Sequence, residues 1–147
     1  MRTVHECQSP DIDITGSANN RGGPVPTTIE GPDFIALQVR DVEAAAAFCE
    51  THLGLRRAPA SPPGAVVFTT EPIPFAVREP LPGVDLDGVA RPGLGVALWF
   101  RTADAQALHD QLAAAGVPIL SPPQDSPFGR TFTFTGPEGY ALTAHGG

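Results

Sequence analysis

The sequence is 147 residues long, enough for one domain with a substantial core. Its formal charge of −7 at pH 7 argues against a nucleic-acid or anionic-membrane surface, since both need clustered Lys and Arg. With two cysteines and no apolar run long enough for a membrane span, neither a disulfide framework nor a membrane anchor is expected, and a reducing cytoplasm fits better.

Residues 1–31 contain SPDIDITGSANNRGGPVPTT, polar, rich in turn residues and without periodicity. They are expected to form a flexible arm, or else a strand exchanged with a partner chain. Phe34–Leu55 then opens a pattern that is written again about 61 residues further on, at Gly95–Ile119, a spacing that marks a duplicated module and not a repeat array. In the first copy Ile35, Leu37 and Val39 alternate as in a half-buried strand. Asp41 caps a helix over Val42–Leu53 with Ala45, Phe48, Cys49 and Leu53 on one face, and Gly54 ends it. Short strands are expected near Leu55–Ala58, Ala65–Thr70 and Pro74–Glu79, and residues 81–92 form a linker. The second copy gives a strand at Gly95–Arg101, a cap at Thr102, a helix at Ala103–Ala115 stopped by Gly116, and a strand at Val117–Leu120. Strands at Arg130–Thr135 and Tyr140–His145 follow, joined as a hairpin by Gly136-Pro137-Glu138-Gly139. The fold class is therefore α+β: a domain over residues 32–147 made of two tandem βαβββ modules, 32–80 and 93–147, related by pseudo-symmetry.

VRDVEAAAAFCETHLGL, TADAQALHDQLAAAGVPI and PFGRTFTFTGPEGYALTAH, in this order and spacing, resemble the vicinal oxygen chelate superfamily, which includes glyoxalase I, extradiol dioxygenases and the bleomycin-resistance proteins. The last piece is similar to the family's closing pattern, with Gly136 and Glu138 where aspartates are usual. The resemblance implies two modules whose sheets curl around a shared cavity, and a homodimer in which some members complete the cavity with the partner chain. It also implies one metal ligand at the start of each opening strand and one near the end of each closing strand. Carried onto this sequence, those positions hold Phe34, Arg78, Gly95 and Thr143, none of them a competent divalent-metal ligand, and a one-residue shift to Glu79 supplies a single carboxylate. No metal and no other cofactor is expected.

Strand parity sets the cavity lining. If Ile35, Leu37 and Val39 pack under the helix, Phe34, Gln38 and Arg40 face the cavity, and the same parity sends Trp99 and Arg101 inward in the second module, with Thr143 and His145 on the last strand. Arg78 faces the cavity by symmetry, while Phe75 and Val77 go to the core. Phe34, Gln38, Arg78, Trp99, Phe128, Thr143 and His145 are the candidate ligand-binding residues. Trp99, the sole tryptophan, is either a stacking platform for a flat ligand or a filler of the concave sheet or a dimer contact. Phe128 either covers the ligand or packs back on the core, and His145 either touches ligand or frays near the terminal glycines. The arginines either hold a ligand carboxylate or phenolate, or form surface ion pairs. His5 lies in the arm, His52 and His109 ride on helices, and Asp11, Asp13, Asp85 and Asp87 sit in loops as solvated carboxylates. No phosphate loop, nucleophile elbow or metal-spaced Cys/His cluster occurs. The expected function is metal-free sequestration of a planar or aromatic small molecule, as in antibiotic resistance by binding. The alternatives are a lyase, dioxygenase or metal-free biosynthetic enzyme using the same cavity, and a regulatory or partner-binding module.

Overall fold

The computed structural model describes residues 25–147. The expectation of a flexible arm therefore falls mostly outside the described residues, and Val25–Gly31 carry no helix or strand. All the regular elements belong to the compact unit Pro32–Gly147.

The first module comprises β1 (Ile35–Gln38), α1 (Val42–Leu53), β2 (Arg56–Arg57), β3 (Ala65–Thr69) and β4 (Phe75–Arg78). The second comprises β5 (Leu98–Arg101), α2 (Ala105–Ala114), β6 (Ile119–Ser126), β7 (Gly129–Thr135) and β8 (Ala141–His145). Each builds a four-stranded sheet of the same topology, β1-β4-β3-β2 and β5-β8-β7-β6. In each, the opening strand lies parallel to the closing strand and the remaining pairs are antiparallel. No helix among the described residues is long and apolar enough to cross a membrane.

Local chemistry accounts for the element ends. Asp41, in extended backbone, accepts from the Ala44 N–H at 3.0 Å and caps α1, and Gly54 ends that helix at φ 67°. At α2 the cap is Asp104, not Thr102. Its carboxylate accepts from the Ala107 N–H at 2.9 Å, while the Thr102 N–H is committed to the His145 carbonyl at 2.9 Å. β5 starts at Leu98, three residues later than the alternation suggests, because Gly93 and Gly95 both take positive φ and Val96 N–H turns back to the Gly93 carbonyl. β6 runs on past Leu120 to Ser126, through Pro122 and Pro123. Prolines lack the ladder donor, but β6 is an edge strand and its register with β7 shifts between Ser121 and Gln124, where the pair sits.

One hydrophobic core joins both modules. Leu37, Val39, Phe75 and Val77 of the first sheet and Phe132, Phe134, Leu142 and Ala144 of the second are buried in it, with Cys49 and Leu112 from the helices. The Phe75 and Phe100 rings meet edge to face, with centroids 5.4 Å apart across the two modules. Two polar links run alongside. The Tyr140 hydroxyl donates to the Gln38 carbonyl at 2.6 Å, and Glu138, in the β7–β8 turn with φ 54°, accepts from the backbone N–H and the Nε of Arg40. Burial and the neighbouring Glu138 hold the Tyr140 phenol above its ordinary pKa. The alternation in β1, β4, β5 and β8 thus sends the expected residues to the core: Leu37 and Val39, Phe75 and Val77, Leu98 and Phe100, Leu142 and Ala144.

Candidate functional site

The face of the second sheet turned away from the core gathers four of the candidate residues. Trp99 pairs with Thr143 and Arg101 with His145 across the parallel β5–β8 ladder, so their side chains stand in neighbouring rows on one face. Thr133 on β7 extends the first row, its hydroxyl 2.8 Å from that of Thr143. Trp99 is 50% exposed, and its ring lies 5.7 Å from the His145 ring and 5.9 Å, edge-on, from Phe128. Phe128 is 67% exposed, so it stands out from the core beside Trp99.

His145 is held firmly. Its Nδ1 sits 3.2 Å from the Phe128 carbonyl, which fits an Nδ1–H donor and leaves Nε2 as the other ring nitrogen. Its backbone is fixed on both sides by Arg101 and Thr131, and Gly146 anchors the chain end, donating to the Arg130 carbonyl and accepting from the Ala105 N–H. A Cβ on Gly146 would lie 1.8 Å from the Thr102 carbonyl oxygen, and its φ is 141°, so this close approach needs glycine. The Ser126 hydroxyl shapes the β6–β7 turn that presents Phe128, accepting from the Phe128 N–H at 3.1 Å and donating to the Gly129 carbonyl at 2.7 Å.

Trp99, Arg101 and His145 line a cleft of ≈ 620 Å³. Its other wall is the β3–β4 loop of the first module, Thr70–Pro74, closed on itself by the Thr70 hydroxyl donating to the Ile73 carbonyl at 2.5 Å. Nothing in the sequence pattern assigned that loop to a site. Its signal was the Glu71-Pro72-Ile73-Pro74 run, in which two prolines stiffen an apolar residue.

The remaining candidates, Phe34, Gln38 and Arg78, belong to the first module. Gln38 and Arg78 are register partners on the parallel β1–β4 ladder. The Gln38 side-chain oxygen accepts from the Leu81 N–H at 2.7 Å, and Arg78 Nε donates to the Glu79 carbonyl at 3.2 Å. Gln38 lines a second cleft of ≈ 650 Å³ between β1 and the linker residues Val84–Leu94, with Tyr140 at one side. This cleft is mainly apolar, and Gln38 serves to tie the linker down. Phe34 and Arg78 line neither cleft, and Phe34 stands half-exposed ahead of β1. The seven candidates therefore fall into two groups, one in each module.

The charged candidates separate as well. Arg40 is engaged: Nε donates to Glu138 at 2.9 Å and Nη1 pairs with Asp87, contacts that raise its pKa. Asp87, expected to be merely solvated, is thus an ion-pair partner. Arg101 enters no ion pair among the described residues. The helical histidines have structural surroundings, His52 against Phe48 and His109 beside Asp110 and Phe132.

The donor chemistry does not suit a divalent metal at the positions that the resemblance implies. Phe34 and Gly95 bring no donor atom, Arg78 brings a cation, and the Thr143 hydroxyl is bonded to Thr133. Glu79 turns its carboxylate over Gly64, within 2.6 Å of where a Cβ would stand there. Among the described residues, no group of three or more His, Cys, Asp or Glu side chains converges.

Comparison with solved structures gives the same fold. A glyoxalase/bleomycin resistance protein/dioxygenase from Nocardioides is 24% identical, with 82% of this chain and 85% of that one covered and a TM-score of 0.62. An antibiotic binding protein from Streptomyces sp. CB03234 is 21% identical, with 82% and 98% covered and a TM-score of 0.64. A fosfomycin resistance protein from Mesorhizobium loti is 21% identical, with 82% and 94% covered and a TM-score of 0.58. Comparison with curated proteins finds no match. A family model matches residues 31–143, a span that takes in both βαβββ modules except the last two residues of β8, and the chain belongs to the Glyoxalase/Bleomycin resistance protein/Dioxygenase superfamily.

Proposed function

We propose that the chain is a small-molecule-binding protein that sequesters a planar or aromatic compound in the cleft beside Trp99, without a metal ion. One observation carries this reading: a half-exposed tryptophan and a fixed histidine line one cleft, and an exposed phenylalanine stands edge-on to that tryptophan. Leaving two large aromatic rings in water is unfavourable unless a partner covers them. A flat ligand stacked on Trp99 recovers that area, and polar groups at the rim orient it. The absence of competent ligands at Phe34, Arg78, Gly95 and Thr143 supports the metal-free form. Structures sharing the fold include an antibiotic binding protein and a fosfomycin resistance protein, and removal of a toxic compound by binding is the corresponding role proposed here.

The same reading makes the chain a cytoplasmic homodimer. Its support is the apolar surface at Leu94 and Val96, 78% and 66% exposed, together with the two-cysteine composition. Sedimentation equilibrium then gives a mass about twice the 15.3 kDa chain.

The test is equilibrium dialysis of chelator-treated protein against a panel of planar aromatic natural products, with mass spectrometry of the retained compounds. The expected outcome is a saturable ligand recovered unchanged. Binding that appears only after a divalent metal is added overturns the metal-free reading. Recovery of a chemically altered compound favours catalysis instead, with His145 as the imidazole lining the cleft.

A further inference from the structure

The Trp99 cleft carries an arginine without an ion-pair partner beside its aromatic ring. On a chain of formal charge −7, the arginines Arg40, Arg57 and Arg130 are each neutralised by carboxylates: Asp87 and Glu138, Glu43 and Glu50, and Asp125. Arg56, Arg78, Arg91 and Arg101 enter no ion pair among the described residues; Arg91 lines the linker cleft, and Arg101, with an exposed side chain, is the one that lines the Trp99 cleft. It stands two residues from Trp99 on the same strand face and in register with His145. His145 has its Nδ1 committed to the Phe128 carbonyl, so the other ring nitrogen is the one left for a ligand. Glu71, on the facing loop, is the carboxylate among the lining residues, and it pairs with neither Arg101 nor His145.

We propose that this cleft selects planar aromatic ligands bearing an oxyanion, a carboxylate or a phenolate, with the ring against Trp99 and the anion on the Arg101 guanidinium. The inference rests on the reading of this face as a small-molecule site and adds the ligand's charge to it. A guanidinium presents parallel N–H donors that match a carboxylate, and such charge-assisted bonds are about twice as strong as neutral ones. The long-range field of an acidic protein repels anions, so affinity for one requires a local unpaired cation, and Arg101 supplies it.

The probes are 2-naphthoate, 2-naphthalenemethanol and 2-naphthylmethylamine, which share a ring and differ in charge, titrated calorimetrically at pH 7.5 and low salt. The expected order is acid, alcohol, amine, with the acid about tenfold or more tighter than the alcohol, the size of one charge-assisted hydrogen bond. In Arg101→Gln the acid-to-alcohol ratio falls to within about twofold, and Arg101→Lys keeps part of it. Equal affinity for acid and alcohol in the natural protein overturns the charge inference and leaves aromatic binding standing. Failure of all three probes to bind overturns both.

Discussion

At the scale of single residues, the cleft depends on side chains held in place by bonds that are easy to name. Trp99 is presented by strand parity alone, with Leu98 and Phe100 turned to the core on either side. His145 is positioned by the Phe128 carbonyl and by the glycine after it, so Gly146→Ala, which sets a methyl group against the Thr102 carbonyl, costs more than about 1 kcal/mol in urea unfolding. Cys49 makes a separate prediction. Full burial pushes its thiol pKa up to about 12, so in a Cys7→Ser background a thiol reagent labels the protein only after denaturant is added. Rapid labelling of the native protein contradicts that placement. Parity made Trp99, Thr143 and His145 legible in the sequence as one face. What parity does not reveal is who else occupies a side chain: Gln38 and Arg40 had the right direction, yet the Leu81 N–H and Glu138 had already claimed them.

Among the elements, the two modules share a topology but differ where their sequences force them to. The α2 cap fell on Asp104 because Thr102 is drawn into the β8 ladder by the His145 carbonyl. The extra length of β6 was hidden by Pro122 and Pro123, which read as a break and are tolerated only because this edge strand shifts register there. The Thr70–Pro74 loop was not legible because its role is tertiary: it becomes a wall only when the first module's loop meets the second module's β5. Packing of the hydrophobic core is testable. Phe132→Ala, in a fully buried position of β7, lowers stability by about 3–5 kcal/mol in urea unfolding, whereas a loss below about 1 kcal/mol contradicts the described core. Tyr140→Phe removes one bond to the Gln38 carbonyl and costs about 1 kcal/mol, leaving the core intact.

The whole molecule is a scaffold that turns one face of a sheet outward and leaves it aromatic. Its surface charge sets the acid limit of stability. Arg57 holds the Glu43 carboxyl below the usual range, and His109 with Gln106 does the same for Asp110. Carboxyls lowered by folding stabilise above their ordinary pKa, and that contribution disappears as pH falls through the folded values. The melting temperature therefore declines below about pH 4, and Glu43→Gln shows a shallower decline over that range. An unchanged acid profile in the variant contradicts the Arg57 pairing. The most direct test of the site uses the sole tryptophan, whose indole N–H gives a single nuclear magnetic resonance signal. Chelator-treated protein is titrated with a planar aromatic ligand found by dialysis, and the Trp99 indole is followed beside the Leu81 amide, which is bonded to Gln38 at the other cleft. The Trp99 cleft predicts a saturable shift of the indole with the Leu81 amide unmoved. Saturation at Leu81 with a silent indole would move the ligand to the linker cleft and contradict the assignment.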